Sequence, residues 1–169
     1  MMHTKEHKVS PVEHFATVEA PYHFVESGLP NVYLAGIRYF TNEDGSQFAE
    51  IPALKQLMKL IASDLVLSAD DLTGPEIRFL RKRLGQRAGE YCKLLGVEPE
   101  TLSRIEHGKQ NISSQVQKLA RISYAVISAD LELMGHAKSI LESMIADMKK
   151  KRPKLVLEID SNQEWREAA

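Results

Sequence analysis

The segment from Ala88 to Lys109 constrains the fold more than any other part of the chain. It reads AGEYCKLLGVEPETLSRIEHGK, which is two short helical patterns on either side of a glycine. Two short helices that cross steeply need a small side chain where they touch and a glycine where the chain reverses. Cys92 supplies the first and Gly96 the second. The spacing therefore predicts a helix-turn-helix unit running from about Thr73 to Ser113.

Apolar residues at helical spacing support this unit on both sides of the turn. The inward positions of the helix pair are expected to be Tyr91, Leu95, Val97, Leu102 and Ile105. A supporting helix precedes them, with an apolar stripe formed by Ile77, Leu80 and Leu84. This helix is expected to begin at Gly74-Pro75-Glu76, because proline is favoured in the first helical turn and an acidic residue is favoured at the positive, N-terminal end of a helix. Its candidate N-cap residues are Asp70, Asp71 and Thr73.

The rest of the chain predicts an α+β protein that is mainly α. Residues 1–20 are polar and aperiodic and indicate a flexible arm. Residues 21–69 combine strand and turn patterns, the sharpest turn being Asp44-Gly45, with one amphipathic helix, and so predict a small α+β unit. Residues 70–128 form the helix-turn-helix domain. Residues 129–169 predict a helix and then a terminal strand or hairpin, with a possible role in dimerisation.

The last long helix is expected to begin at Ser113 or Ser114. Gly135 is a candidate break in it, and its apolar positions continue through Tyr124, Ile127, Leu131, Met134, Leu141, Met144 and Met148. The stripe from Met134 to Met148 suits a partner helix in a dimer or packing onto the N-terminal unit of the same chain. Pro153 ends this stretch, the following KLVLEID predicts a strand, and Asn162 offers a turn before Glu164-Trp165-Arg166.

Charge is unevenly distributed within a nearly neutral protein. Residues 1–72 carry 5 basic and 10 acidic side chains, a net charge of −5. Residues 73–109 carry 8 basic and 5 acidic side chains, a net of +3, and residues 110–169 carry 9 and 8, a net of +1. A locally basic middle is expected where one surface meets a polyanion, although an ordinary solvated face gives the same pattern.

The residues of this helix-turn-helix segment resemble a known family. EIRFLRKRLG followed by LLGVEPETLSRIEHGK is similar to the Cro/repressor-type (XRE) helix-turn-helix, over about residues 73–128. A longer similarity, from YHFVESGLPNVYL through LTGPEIRFLRKRLG to RPKLVLEI near the C-terminus, is to antitoxin-like regulators of the MqsA/YgiT type. Those regulators place a small zinc-binding module before the same domain. The resemblance implies a DNA-binding regulator.

Two departures from that pattern matter. Where relatives often carry Cys-Pro-x-Cys-Gly, this chain has Thr41-Asn42-Glu43-Asp44-Gly45, so no zinc is expected. Ala88 stands where a glutamine commonly opens the second helix and contacts a phosphate. Backbone N–H groups at that helix end, with Arg87 beside them, are the remaining candidates for that phosphate.

The recognition helix, about Pro99 to His107, is expected to lie in the major groove with its N-terminal residues facing base edges. Thr101 and Arg104 are the best candidates for base contacts, because threonine meets a thymine methyl and arginine pairs bidentately with guanine. Glu100 offers an acceptor for cytosine N4, although it is repelled by phosphates. The candidates for backbone contacts are Ser103, His107, Lys109 and Asn111.

The family resemblance also implies an ion pair between Arg81 on the supporting helix and Glu106 at the end of the recognition helix. This pair is expected to be structural. The complete set of residues expected to hold the motif together is Arg81, Cys92, Gly96, Leu102, Ile105 and Glu106.

Other function classes find little support in the sequence. No long apolar segment suggests a signal peptide or a membrane span, so a cytoplasmic location is expected. The single cysteine, Cys92, precludes an internal disulfide and supplies no paired thiolates for zinc. Neither a metal nor another cofactor is expected. No nucleophile-base set or phosphate-cradling loop is present, which argues against an enzyme.

The expected function is therefore sequence-specific binding of double-stranded operator DNA by a homodimer, as a repressor that could act on its own promoter. Two alternatives stay open. In one, the chain is an antitoxin of a type II toxin–antitoxin pair that also binds a toxin protein through its N-terminal unit. In the other, it is a protein-interaction module that no longer binds DNA, which Ala88, Glu98 and Glu100 make conceivable.

Overall fold

The computed structural model describes residues 10–130, 133–134 and 154–168, and within them the α+β class is confirmed. The strands are β1 (Val12–Phe15), β2 (Tyr22–His23), β3 (Val32–Ala35), β4 (Arg38–Thr41), β5 (Gln47–Ala49), β6 (Leu155–Ile159) and β7 (Trp165–Glu167). The α-helices are α1 (Leu54–Leu67), α2 (Gly74–Arg83), α3 (Ala88–Leu95), α4 (Pro99–Glu106) and α5 (Ser114–Ile127). The chain divides into two compact units.

The first unit, called the strand unit, comprises residues 1–24, 31–54 and 154–169. Its first sheet has the antiparallel order β1-β4-β5. The turn between β4 and β5 contains Gly45 at φ 80°, and the Asp44 carboxylate accepts a hydrogen bond from the Ser46 backbone N–H at 2.9 Å. The sharp turn predicted at Asp44-Gly45 is therefore confirmed.

The second sheet of the strand unit has the order β2-β3-β6-β7, in which β3 and β6 run parallel and the other pairs antiparallel. Leu34 on β3 and Leu157 on β6 are buried partners in the register. The indole N–H of Trp165 donates to the Pro52 carbonyl oxygen at 2.9 Å. The terminal hairpin that the sequence predicts is thus present, and it completes a sheet that begins near the N-terminus.

Three predicted boundaries differ from those observed. The predicted arm over residues 1–20 contains β1, which is held in place by its antiparallel pairing with β4. The predicted N-terminal unit of residues 21–69 loses residues 25–30 and 55–69, which include all of α1 but its first residue, to the helical unit. It gains β6 and β7, because the β3–β6 pairing joins segments more than 100 residues apart, which local sequence patterns do not report.

The second unit, called the helical unit, comprises residues 25–30 and 55–153. The apolar stripe predicted for α1 is buried at Leu57, Ile61 and Leu65. Helix α2 begins as predicted at Gly74 and is capped by Thr73, whose backbone N–H donates to the Glu76 carboxylate at 2.8 Å. No helix in the described part of the chain is long and apolar enough to cross a membrane.

Two buried polar residues on α5 hold the segment between α1 and α2. The Gln117 side chain accepts a hydrogen bond from the Leu72 backbone N–H at 2.9 Å and donates to the Asp71 carboxylate at 3.1 Å. The Arg121 guanidinium, which is 1% exposed, donates to the carbonyl oxygens of Ser68 and Asp70. Residues four apart lie on one helix face. This face of α5 therefore fixes the point at which the chain enters α2.

Helix α5 ends earlier than the sequence suggests. Ser113 caps its start, accepting from the Val116 backbone N–H at 3.3 Å, as predicted. Its last helical residue is Ile127, and Ala129 has a φ of 51°, a left-handed conformation that stops a helix. The break therefore precedes Gly135. The sequence pattern missed it because the spacing of apolar residues does not show which residue adopts a left-handed backbone. The stripe beyond Met134 lies outside the described residues.

We predict that Arg121→Met lowers the free energy of unfolding by about 2–3 kcal/mol, because two carbonyl groups lose a charged donor. Lys118→Met, three residues away at a half-buried position of the same helix, is the matched control and is expected to change stability by no more than about 0.5 kcal/mol. Urea unfolding monitored by circular dichroism measures both. Equal stabilities of the two variants would contradict the anchoring role of Arg121.

Candidate nucleic-acid interface

The candidate site is built on the two short helices α3 and α4. Helix α3 begins after Arg87, whose backbone N–H donates to the Glu90 carboxylate at 3.1 Å. It ends at Gly96, which has a φ of 66°, and the Val97 backbone N–H then donates to the Cys92 carbonyl at 3.1 Å. A Cβ at position 96 would meet no atom within 4 Å. Gly96 is therefore needed for its left-handed backbone rather than for space.

The contact between these helices is apolar and closely packed. Four of the five predicted inward positions are buried, each no more than 2% exposed: Tyr91, Leu95, Leu102 and Ile105. The fifth, Val97, is half-buried. Cys92 is 3% exposed, and burial raises the pKa of its thiol. A buried thiol with a raised pKa acts as a small apolar side chain rather than as a nucleophile.

An ion pair links the supporting helix α2 to the end of α4. The Arg81 Nε and one terminal nitrogen donate to the two Glu106 carboxylate oxygens at 2.6 and 2.8 Å. A further Arg81 nitrogen donates to the Gln86 carbonyl at 3.1 Å, and the hydrogen bond to Glu106 raises the pKa of Arg81. The two side chains are only 13% and 7% exposed. The pair implied by the family resemblance is thus present, with bidentate geometry.

A second contact between α2 and α4 involves Gly74, whose sequence pattern indicates only the start of a helix. A Cβ at position 74 would collide with the Ile105 carbonyl oxygen and lie 3.2 Å from the Gly108 backbone nitrogen. Gly74 and Arg81 are seven residues apart, about 10 Å along α2. The end of α4 is therefore fixed against α2 at two separate points.

Opposite its buried stripe, α4 presents a polar face. Leu102 and Ile105 point inward, and the residues on the outward side are exposed: Pro99, Glu100, Ser103, Arg104 and His107. Thr101 is half-buried at the margin of this face. Spacings of three, four and seven residues place Glu100, Ser103, Arg104 and His107 on one side of the helix. These four residues are called the α4 face.

The chain beyond α4 stays close to that helix. The Lys109 backbone N–H donates to the Arg104 carbonyl at 2.8 Å, and Gly108 has a φ of 67°. His107 Nδ1 lies 2.7 Å from the Ser103 carbonyl oxygen, the distance expected if Nδ1 carries the proton and donates. Lys109 and Asn111 are exposed. Lys109, which is predicted to contact a DNA backbone, is therefore held next to the α4 face by a backbone hydrogen bond.

Most cations of the basic middle segment have no acidic partner in the described part of the chain. Arg81 pairs with Glu106, and the charge of Arg83 acts on the nearby Tyr124 hydroxyl. Among the described residues no ion pair is formed by the remaining six, which are Arg78, Lys82, Arg87, Lys93, Arg104 and Lys109. All six are exposed. Exposed, unpaired cations are suited to binding an external anion. A surface whose cations are already paired with acidic side chains is not.

At the start of α3, Arg87 and Ala88 are both exposed, as a phosphate contact there requires. Sequence patterns did not single out Gly74 as a contact point or Gln86 as the carbonyl that receives Arg81. Neither role leaves a local signal, since each depends on which segment packs opposite. No group of acidic, histidine or cysteine side chains able to hold a metal ion occurs among the described residues.

Comparisons with protein-family models, with curated proteins and with solved structures find no match to this chain. Function is therefore inferred from the residues and their geometry.

We predict that Arg81→Glu and Glu106→Arg each lower the free energy of unfolding by about 3–5 kcal/mol, because each buries an unpaired charge. The double reversal is expected to recover a coupling energy of about 1–3 kcal/mol. Recovery is incomplete, because a glutamate at position 81 cannot donate to Gln86. Denaturant unfolding of the three variants measures the coupling, and equal damage in all three would refute the pairing.

Gly74→Ala is predicted to cost about 1–3 kcal/mol, because the added methyl group must push α2 away from the Ile105 carbonyl. Gly89→Ala provides the control. This glycine lies in α3, and a Cβ added there would have no atom within 4 Å, so alanine is expected to be neutral or to stabilise by up to about 1 kcal/mol. Thermal unfolding compares them, and a stable Gly74→Ala variant would argue against the close approach.

Proposed function

We propose that this chain is a sequence-specific DNA-binding transcriptional regulator of the Cro/repressor type, in which α3 and α4 form a helix-turn-helix and α4 is the recognition helix. The observation that carries the proposal is the arrangement of α4. One side is buried against α2 and α3, while the α4 face is exposed and includes the unpaired Arg104. A helix fixed on one side and polar on the other is suited to the major groove.

Each candidate contact residue then has a role that its chemistry supports. Arg104 pairs with guanine, Thr101 contacts a thymine methyl, and Glu100 accepts from cytosine N4. Ser103, His107, Lys109 and Asn111 contact phosphates, as do Arg87 and the backbone N–H groups at the start of α3 next to Ala88. Phosphate contacts position the helix, and the base contacts supply the sequence preference.

The regulator acts as a dimer. One helix-turn-helix covers little DNA, whereas two copies related by a two-fold axis read two half-sites about 34 Å apart. Binding to an operator in a promoter excludes other proteins from that DNA, which makes repression, including repression of its own gene, the simplest outcome. An antitoxin role requires a toxin partner. A protein-interaction module that has lost DNA binding requires an α4 face that does not bind DNA.

Selection of preferred duplexes from a random pool tests the proposal. We predict that the wild-type protein enriches a defined sequence and that its affinity falls steeply with salt as counterions are released. Arg104→Ala is expected to lose about 1–3 kcal/mol of discrimination at one base pair while keeping the rest of the preference.

Lys93→Ala is the matched control, since it removes an exposed, unpaired cation from the neighbouring helix without touching the α4 face. It is expected to leave the selected sequence unchanged. Absence of any enriched sequence, together with no salt-dependent binding by the wild-type protein, would overturn the proposal and favour a protein-interaction module.

A further inference from the structure

One face of the first sheet in the strand unit is aromatic and exposed. The register pairs Glu13 with Phe40, Phe40 with Phe48, and Phe15 with Arg38, so these five side chains share one side of the sheet. Phe15 is 63% and Phe48 is 42% exposed. The Phe40 and Phe48 rings stack with centroids 5.2 Å apart. This surface is called the aromatic face.

The opposite side of the same sheet already has partners. His14 on β1 and Tyr39 on β4 stack with centroids 4.9 Å apart, and Tyr39 contacts Tyr22, which is 2% exposed and belongs to the second sheet. The part of that side around Tyr39 therefore packs inside the strand unit. Large aromatic side chains left exposed on the other side are typical of a surface that meets another molecule.

Charge on the aromatic face distinguishes between kinds of partner. Glu13 and Arg38 pair at 3.3 Å with side chains 54% and 73% exposed. The face thus presents one acid and one base beside its phenylalanines, so it is complementary to itself. A two-fold contact brings the same patch from both copies together, which requires that property. A purely basic or acidic ligand would meet a like charge here.

We propose that the aromatic face binds the same face of a second copy of this chain, and that this contact couples the two copies on DNA. This inference rests on the proposed function, because the two-fold dimer that binds an operator needs a contact between its two copies. It goes further in naming the surface.

The size of the face determines how strong the contact is. Three strands of about four residues cover about 14 Å by 14 Å, roughly 200 Å² per copy. Stable complexes bury about 800 Å² per partner. The acidic excess of residues 1–72 adds repulsion between the copies. The free protein is therefore a monomer at micromolar concentration, and pairing takes effect when adjacent half-sites raise the effective concentration to the millimolar range.

The first test compares two substitutions on one strand. Phe15 and Val12 are 63% and 59% exposed apolar residues of β1 whose side chains lie on opposite sides of the sheet. On a duplex with two selected half-sites, the wild-type protein and Val12→Ser are expected to bind cooperatively, by about tenfold or more. Phe15→Ser is expected to bind each half-site independently with unchanged single-site affinity. Retained cooperativity in Phe15→Ser, or equal loss in Val12→Ser, overturns the proposal.

The second test needs no DNA, so it stands even if the proposed function fails. Glu13→Arg gives the face two bases and Arg38→Glu gives it two acids. Each variant alone is expected to self-associate less than the wild-type protein at about 1 mM, while an equimolar mixture associates more than either, as measured by sedimentation equilibrium. A mixture that behaves like its separate components, or a wild-type protein that is monomeric at that concentration, overturns the proposal.

Discussion

The bidentate contact between Arg81 and Glu106 is the interaction on which the candidate site depends. Both side chains are largely buried, and the guanidinium also holds the Gln86 carbonyl in the loop that leads into α3. One residue of α2 therefore orients the start of one short helix and the end of the next. A helix of eight residues has little stability of its own, so its orientation must come from such contacts.

The helical unit fixes α4 through a sequence of contacts that begins outside the site. Arg121 and Gln117 on α5 hold residues 68–72, which set where α2 begins. Gly74, at the first position of α2, then approaches Ile105 more closely than any side chain would allow. The recognition role that we propose for α4 requires its side chains to be held within a few tenths of an ångström of the positions that discriminate bases. Buried polar contacts and one glycine supply that rigidity here.

The local features of the α3–α4 segment could be predicted from the sequence because they depend on short spacings. Gly96 follows Cys92 by four residues, and the apolar positions at Leu102 and Ile105 repeat at helical spacing. The missed features depend on distant segments. The β3–β6 pairing, the role of Gly74 and the partners of Arg121 are set by what packs opposite, and the early end of α5 depends on the backbone of Ala129.

Chemical-shift mapping tests the central claim most directly, which is that the exposed side of α4 contacts duplex DNA. A ¹⁵N-labelled protein is titrated with a short duplex at low salt, where phosphate contacts are strongest. The account predicts that the largest amide shifts occur from Thr101 to Lys109 and at Arg87 and Ala88, and that they vanish as salt is added. Shifts confined to the strand unit, or none at low salt, would contradict it.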